Sequence, residues 1–349
     1  MRKTRTRSVS GNPTLSDVAA RAGVSLATAS RVLNDSDRRV GREHRDRVLR
    51  AARELNYRTD LSAQAMARGS APVLALLVSS IDDPYFSAIA AGVAESAHAH
   101  GVIVTIAITA RDSERELTSV RTLRGQRPRA ILVGGSRSSD DPRSEELLEE
   151  LRSFASTGGR AVFVSQPVGG LGAVRPDNAA GAAELGAAVT ELGYRRAAVI
   201  TGAEHLQTVA ERVEGLRRGL EPAGGRIALV ERDDFDRAGG YRCTRRLIES
   251  GRIAEADVLC AGNDVMAIGA MTALRDGGIE PGRDIAVTGF NDIETAADVT
   301  PRLTTVRFPL AEIGRRAADL ALDSAEPPTE DVLVAGSVVL RASSPPRTA

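Results

Sequence analysis

Tryptophan is missing from this chain of 349 residues, and all aromatic residues together make up only 3% of it. Lysine occurs once, at Lys3, so the remaining sequence has neither the lysine of a Walker A loop nor one for Schiff-base chemistry. No G-x-S-x-G nucleophile motif occurs either. These absences argue against a metabolic enzyme on an α/β scaffold, and we predict no enzymatic activity.

Cysteine and histidine are also scarce. Cys243 and Cys260 lack the spacing of metal ligands and are typical of reduced core thiols in a cytosolic protein. His98 and His100 lie two positions apart on a predicted helix, so they face different directions and do not suit a metal ion. The basic start, MRKTRTRSVS, is not followed by an apolar run, and no apolar stretch approaches the ~20 residues of a membrane span. We therefore expect a cytoplasmic protein with no signal peptide, metal, cofactor or membrane partner.

Arginine, by contrast, is abundant and unevenly distributed. The whole chain carries 46 basic and 46 acidic residues, yet residues 1–68 have a net charge of +8 and the remainder −8. Such asymmetry is typical of a nucleic-acid-binding head on a soluble body. A basic segment can also be merely solvated, so the motifs beside these charges decide between the two interpretations.

Residues 14–34, TLSDVAARAGVSLATASRVLN, predict two short helices joined by a tight turn. Thr14 and Asp17 form a relative of the capping box, Gly23 allows the first helix to end, and Ser25 can cap the second. Apolar residues at helical spacing give each helix one buried face. The other face of the second helix carries mostly small or polar side chains and one long cation. This pattern is typical of a helix-turn-helix that enters a major groove, with an ordinary helical hairpin as the alternative.

The segment VSLATASRVLN, followed by ELNY at residues 54–57, resembles the headpiece of the LacI/GalR family of bacterial transcription regulators. The resemblance continues through most of the chain. It implies a DNA-binding headpiece, a hinge and an effector-binding body similar to periplasmic sugar-binding proteins. On this basis we predict a sequence-specific transcriptional repressor that binds a pseudo-palindromic operator in double-stranded DNA as a homodimer. A small-molecule effector, a sugar or sugar derivative, would control it.

The DNA contacts are predicted from the headpiece and the hinge. Leu26 and Ala27 begin the second helix, where base edges are read, and they can offer only apolar contacts, whereas Arg31 can supply a polar one. Met66 lies in DLSAQAMAR, which resembles the family's hinge helix, and would enter the minor groove as an apolar wedge. A helix residue without a special task is the alternative for Met66. The predicted DNA-binding residues are Thr14, Leu15, Ser25, Leu26, Ala27, Thr28, Ser30, Arg31, Asn34 and Met66.

The sequence changes character from residue 71 onward. Nearly continuous apolar strands alternate with amphipathic helical stretches, which indicates parallel sheets covered by helices on both faces. The predicted strands are 73–78, 102–108, 130–133, 161–164, 197–200, 227–230, 257–261 and 284–290. About 280 residues exceed one hydrophobic core, so we expect two α/β lobes with a ligand cleft beyond the carboxyl ends of their strands.

The expected fold class is an all-α helix-turn-helix headpiece plus hinge helix, followed by a two-lobed α/β periplasmic-binding-protein-like body with parallel sheets. The predicted domains are residues 1–59 (headpiece, with 1–12 as a basic disordered tail), 60–70 (hinge helix) and 71–349 (effector-binding and dimerisation domain). A third helix at residues 41–55 would complete the headpiece. The resemblance implies three crossings between the lobes. We place lobe 1 at about 71–170 and 302–328, and lobe 2 at about 173–297 and 332–345.

The effector site is predicted from the few aromatic residues and from the resemblance. Tyr85 and Phe86 follow the first strand, and Phe235 follows a later one. A flat ring beside carboxylates and guanidinium groups suits a sugar-like ligand. By resemblance the polar contacts would come from Asp83, Thr208, Arg212 and Asp264, with Asp292 as a weaker candidate. The predicted effector-binding residues are Asp83, Tyr85, Phe86, Thr208, Arg212, Phe235, Asp264 and Asp292.

Alternatives stay open for several of these residues. Asp264 could instead cap a helix, as could Asp177, and the two adjacent aromatic residues could belong to the core. Asp83 stands where the family usually has Asn, and Ser165 stands where many members have a ligand-contacting Asp. The identity of the effector is therefore not carried over, and a nucleobase or another metabolite remains an alternative. A periplasmic-type binding protein is the other alternative function, and it leaves the basic headpiece unexplained.

Overall fold

The computed structural model of the protein describes residues 13–33, 40–58 and 70–347. The chain divides into two compact units, Met1–Ala71 and Pro72–Ala349. The predictions for Asn34, for Met66 and the hinge helix around it, and for the basic tail at 1–12 fall outside the described residues. Among the described residues, no helix combines the length and the apolar character that crossing a membrane requires.

The first unit contains three helices: α1 (Leu15–Ala22), α2 (Leu26–Leu33) and α3 (Arg42–Glu54). The predicted capping box begins α1, because the Thr14 hydroxyl accepts a hydrogen bond from the Asp17 amide and the Asp17 carboxylate accepts one from the Thr14 amide. Gly23 ends α1 in the left-handed region at φ 62°. The Ser25 hydroxyl accepts a hydrogen bond from the Thr28 amide at 3.1 Å and caps α2 as predicted. The apolar faces of the three helices form one small core.

The second unit contains twelve strands and eight helices among the described residues. The strands are β1 (Ala71–Val78), β2 (Ile103–Ile108), β3 (Pro128–Gly134), β4 (Arg160–Val164), β5 (Gly172–Pro176), β6 (Arg196–Thr201), β7 (Arg226–Arg232), β8 (Val258–Ala261), β9 (Ala286–Thr288), β10 (Thr305–Arg307), β11 (Asp331–Val334) and β12 (Ser337–Val339). The helices are α4 (Pro84–Ala99), α5 (Ser113–Gly125), α6 (Ser144–Ser156), α7 (Asn178–Glu191), α8 (Gln207–Leu220), α9 (Arg237–Glu249), α10 (Asp264–Asp276) and α11 (Leu310–Asp323). Short 3₁₀ turns complete the unit.

These strands form two larger sheets. The first has the order β11-β5-β4-β3-β1-β2, and the second has the order β7-β6-β8-β9. The pairs β1–β2, β3–β4, β4–β5 and β5–β11 are parallel, as are all three pairs of the second sheet. A separate antiparallel pair joins β10 to β12. The predicted α/β body with parallel sheets is confirmed, and all eight predicted strands are present with shifted ends.

The sheets divide differently from the predicted lobe limits. β5 and β11 both belong to the first sheet, although residues from about 173 and from about 332 were assigned to the second lobe. Both strands are short, and their sequences do not indicate which sheet they join. The expectation of burial on both faces is also wrong for β2, because it is an edge strand. Ile103, Ile106 and Ile108 on β2 are 63%, 42% and 46% exposed.

Candidate functional site

In the first unit, α2 presents an exposed face at its amino-terminal end. Leu26 is 53% exposed, Ala27 and Arg31 are also exposed, and Ala29 and Val32 are buried against the other helices. Covering an apolar side chain that is half exposed to water is favourable, so a binding partner at this face would be stabilised. The start of α2 is therefore an exposed, partly apolar surface that a binding partner could cover.

The remaining predicted DNA contacts surround this face. The Ser25 and Thr28 hydroxyls lie 2.8 Å apart and hydrogen-bond to each other, and Thr28 and Ser30 are half-buried. The Thr14 side chain is exposed although it also caps α1. Leu15 differs from the others because its side chain packs against the headpiece core.

The second unit contains a cavity at the carboxyl ends of strands from both sheets. It encloses about 540 Å³ of space, including the part open to solvent. Its lining comprises Ser79, Asp83, Tyr85, Phe86, Arg111, Gly135, Ser136, Val164, Ser165, Gln166, Arg175, Pro176, Asn178, Thr208, Arg212, Phe235, Asn263 and Asn291. Six of the eight predicted effector-binding residues are therefore brought together, and we call this space the inner cavity.

The loop before α4 forms one wall of the inner cavity. The Asp83 carboxylate caps α4 by accepting a hydrogen bond from the Tyr85 amide at 3.0 Å. Burial raises the pKa of Asp83, although this hydrogen bond and the charges of Arg111 and Arg212 oppose the shift. Burial also raises the pKa of Tyr85 to about 12, so its hydroxyl is a hydrogen-bond donor at neutral pH. The Tyr85 and Phe86 rings pack edge to face with their centroids 5.0 Å apart.

Arg212 on α8 reaches the inner cavity from the opposite lobe. Its guanidinium donates to the Asn178 side-chain oxygen at 2.9 Å, to the Gly262 carbonyl at 2.6 Å and to the Asn291 side-chain oxygen at 3.2 Å. It also lies over the Phe290 ring, 4.0 Å from the centroid. Burial lowers the pKa of Arg212 to about 10, so the group is still a cation at neutral pH. The other two of its five N–H groups donate no hydrogen bond to the described residues.

A polar network fixes the position of α8 beside this arginine. Glu211 accepts hydrogen bonds from the side-chain amides of Gln166 and Asn178 at 3.0 and 2.9 Å. The Gln166 amide also donates to the Thr208 hydroxyl at 3.1 Å. Arg175 donates to Glu211 at 3.4 Å and pairs with a carboxylate on β11. The network joins residues that follow β4, β5 and the start of α8.

Phe235 forms the wall opposite α4. The Arg111 guanidinium lies 5.8 Å from the centroid of the Phe235 ring and donates to the Phe235 carbonyl at 3.3 Å. Arg111 and the preceding Ala110 both have left-handed backbone conformations, with φ of 58° and 53°. Asn291 also has a positive φ, of 113°. Such strained positions in residues other than glycine concentrate at functional sites.

Asp264 and Asp292 do not line the inner cavity, which corrects two predictions. Asp264 is fully buried, and its carboxylate accepts hydrogen bonds from the Thr305 hydroxyl at 2.6 Å and the Ile293 amide at 2.9 Å. Asp292 pairs with Arg307 and Arg341, each at 2.6 Å. In both loops a neighbouring side chain points into the cavity instead, because consecutive residues in a tight turn face different directions.

The residues that sequence reasoning missed are mainly the amides Asn263 and Asn291. Each directly precedes one of the two misplaced aspartates, in the segments GND and FND. Asn263 also caps α10, since its side-chain oxygen accepts the Met266 amide at 2.9 Å. Asp177 caps α7, as the sequence indicated, because its side-chain oxygen accepts a hydrogen bond from the Ala180 amide at 3.0 Å. The Asn-Asp pair occurs in both loops and marks them as part of the site, but the sequence does not show which of the two residues faces the cavity.

A wider cleft continues outward from the inner cavity and shares Arg111 and Phe235 with it. Two loops meet beside this outer cleft. The Ser139 amide donates to the His205 carbonyl, and the Gln207 amide donates to the Arg137 carbonyl, both at 2.9 Å. We call residues 137–139 and 205–207 the clasp, because they join the loop after β3 in the first sheet to the loop after β6 in the second.

Comparison with known proteins gives consistent matches. Residues 14–60 match the family model described as bacterial regulatory proteins, lacI family, and residues 187–344 match the periplasmic binding protein-like domain. The chain is 33% identical over 318 residues to the HTH-type transcriptional regulator GalS of Salmonella typhimurium, covering 89% of this chain and 90% of that protein. It is 30% identical over 312 residues to the HTH-type transcriptional repressor CytR of Escherichia coli, covering 89% of each.

Solved structures show the same fold. A transcriptional regulator CelR–cellobiose complex matches with a TM-score of 0.68 and 29% identity, covering 95% of this chain and 99% of that one. A lac repressor dimer bound to operator and the anti-inducer ONPF matches with a TM-score of 0.81 and 24% identity, covering 96% and 100%. At 24% identity, the match to the lac repressor supports a shared fold and nothing further.

Proposed function

This chain belongs to the lacI family of bacterial regulatory proteins, and on that premise we propose that it is a transcriptional repressor that binds its operator as a dimer and is controlled by a sugar-like effector. The proposed organisation keeps a headpiece at 1–59, a hinge at 60–70 and an effector-binding body at 71–349. The relatives named above are transcription regulators. We accordingly propose a non-enzymatic protein that acts in the cytoplasm.

The exposed start of α2 supports the DNA-binding part of the proposal. Leu26 and Ala27 can contact thymine methyl groups, while Arg31 can donate to a base or a phosphate. We propose that the hydroxyls of Thr14 and Thr28 contact the DNA backbone. Phosphate contacts orient a headpiece, whereas base contacts select the sequence, so these two groups of residues have separable roles.

The environment of the Arg212 guanidinium is the observation that supports the effector part of the proposal. This buried guanidinium has two N–H groups that donate to none of the described residues, in a cavity that the Tyr85 and Phe235 rings also line, and we propose that it donates to the effector. Asp83 offers an acceptor on the other lobe. Rings beside hydrogen-bonding groups suit a sugar, whose faces are partly apolar and whose edges carry hydroxyls. A ligand that contacts both lobes would change their relative angle and thereby control the headpieces.

The edge strand β2 supports the dimer. One headpiece reads one half-site, so a pseudo-palindromic operator requires two copies. Three isoleucines of β2 are 42% to 63% exposed at the edge of the first sheet. An uncovered apolar edge strand is a poor surface for a monomer, and a second body would cover it.

The proposed function can be tested on the full chain with one binding assay. Fluorescently labelled DNA from upstream of the chain's own gene is titrated with protein, and anisotropy gives the affinity, with unrelated DNA of equal length as the control. A panel of sugars and sugar derivatives is then added to the complex. We expect specific binding that one class of compounds changes by about 5- to 150-fold. Equal affinity for both DNAs would contradict the proposed function.

A further inference from the structure

We propose that the effector carries an anionic group, a carboxylate or a phosphate, which the inner cavity binds through Arg111 and Arg212. This inference rests on the proposed function, because it specifies the chemical class of the effector. The residues that line the inner cavity include three arginines but a single carboxylate, that of Asp83. Positively charged side chains thus outnumber negatively charged ones among the described residues that line this cavity.

The three arginines differ in how their charge is balanced. Arg175 forms a bidentate pair with Asp331, at 3.0 and 2.9 Å, and also contacts Glu211. Within the described ranges, no carboxylate lies within 4.0 Å of the guanidinium of Arg111 or Arg212. Neutral oxygens and an aromatic ring surround Arg212 instead. Of the two, Arg212 is buried and Arg111 is exposed. The carboxylates of Asp264, Glu211 and Asp83 act on Arg212 only from beyond hydrogen-bond distance, so an anionic ligand would be its direct counter-charge.

A second, independent observation comes from Ser165 at the end of β4. Its side chain lines the inner cavity and is buried, and its hydroxyl has no hydrogen-bond partner among the described residues. Buried hydroxyls are normally paired, so this one indicates a missing partner. A carboxylate or phosphate offers several acceptor lone pairs to the hydroxyl and to Arg212 together. A neutral hydroxyl group offers fewer acceptor lone pairs and no counter-charge for Arg212.

Arg111 is held at the junction between the inner cavity and the outer cleft. Arg111 is exposed, and with the left-handed backbone at Ala110 and Arg111 its guanidinium lies over the Phe235 ring. Such a conformation costs free energy for residues with a Cβ, so it persists where the surroundings impose it. From this position Arg111 can approach an anionic group at one end of a ligand. Asp83 can then accept a hydroxyl proton at the other end.

The first test uses inorganic phosphate as the probe, with the full chain and with chloride to keep the ionic strength constant. Thermal unfolding is followed for the wild type, Arg111→Gln and a control, Arg115→Gln. Arg115 is also exposed and lies on α5, but it lines neither the inner cavity nor the outer cleft. We expect a saturable rise in melting temperature in the wild type and the control, and at least about tenfold weaker binding in Arg111→Gln. An equal response in both variants, or none in any protein, would overturn the proposal.

The second test distinguishes the two sources of the charge. Glucose, glucuronate and glucose 6-phosphate are compared by the same assay at equal ionic strength. Stronger stabilisation by glucuronate indicates a carboxylate ligand, and stronger stabilisation by glucose 6-phosphate indicates a phosphate ligand. Neutral glucose that stabilises as strongly as both would refute an anionic effector. Operator affinity is measured on the same samples, so a loss of the DNA-binding function is recognised separately from a failed anion site.

Discussion

Replacing Asp264 by alanine should destabilise the body of the protein, and by more at pH 5 than at pH 7.5. The carboxylate is fully buried and accepts hydrogen bonds from the Thr305 hydroxyl and the Ile293 amide. Alanine leaves both donors buried without an acceptor, which costs roughly 1–3 kcal/mol each. Burial of the charge opposes this loss, so the net effect depends on the ionisation of Asp264.

Burial raises the pKa of Asp264 to about 6 in the folded protein, from 3.8 for an ordinary aspartate. The folded wild type therefore takes up a proton as the pH falls through 6, whereas the unfolded chain does so only near 3.8. The contribution of this group to stability consequently rises as the pH falls. The full shift corresponds to about 3 kcal/mol, of which about 1.4 kcal/mol has appeared by pH 5. We expect alanine to cost about 1 kcal/mol at pH 7.5 and about 2.4 kcal/mol at pH 5.

Urea unfolding of the full chain, followed by circular dichroism at both pH values, measures this difference. Asp264→Asn is the matched control, because it keeps the shape of the side chain and removes its titration. Relative to this control, wild-type stability should increase between pH 7.5 and pH 5. If alanine lowers the free energy of unfolding by the same amount at both pH values, the raised pKa of Asp264 is wrong. A variant of normal stability that no longer responds to effector would return Asp264 to the ligand site.

Other predictions concern the headpiece and the dimer. Ala27→Gln should change the preferred operator in a randomised-site selection, because glutamine can hydrogen-bond to base edges, and an unchanged consensus would contradict base reading at this position. Thr28→Ala should weaken binding to all operators by a similar factor of about 3- to 10-fold in fluorescence anisotropy. Ile106→Asp should yield monomers in light scattering, while Leu333→Asp, which is equally exposed at the opposite edge of the same sheet, should leave the dimer intact. Thr14→Ala should reduce protection of headpiece amides from hydrogen exchange by about fivefold or more, since a lost cap costs about 1 kcal/mol.

Local features of the headpiece could be predicted from the sequence because they depend on neighbours along the chain. The Thr14 cap, the left-handed Gly23 and the Ser25 cap each involve residues no more than four positions apart. The same holds for the buried strands, whose apolar composition reflects their position inside a sheet. Sequence patterns are therefore sufficient to predict features that depend only on residues close together in the chain.

The direction of side chains in the inner cavity could not be predicted in this way. Asn263 and Asp264 are adjacent, yet Asn263 lines the cavity. The Asp264 carboxylate instead accepts a hydrogen bond from the backbone amide of Ile293, about thirty residues later. The carboxylate is the stronger acceptor, and it is used where two buried donors converge. Similarly, β11 joins the first sheet through its pairing with β5, which is distant in sequence. Both outcomes depend on contacts between remote segments.

The clasp has a consequence for timing. Opening of the two lobes would separate the loops at 137–139 and 205–207, and this separation breaks two backbone hydrogen bonds. At about 1 kcal/mol each, these bonds would slow opening by about 30-fold. The residence time of the ligand would then be set by the protein's own opening rate rather than by the strength of each ligand contact. A regulator of this kind responds to the effector concentration of the recent past, and brief fluctuations in supply leave its state unchanged.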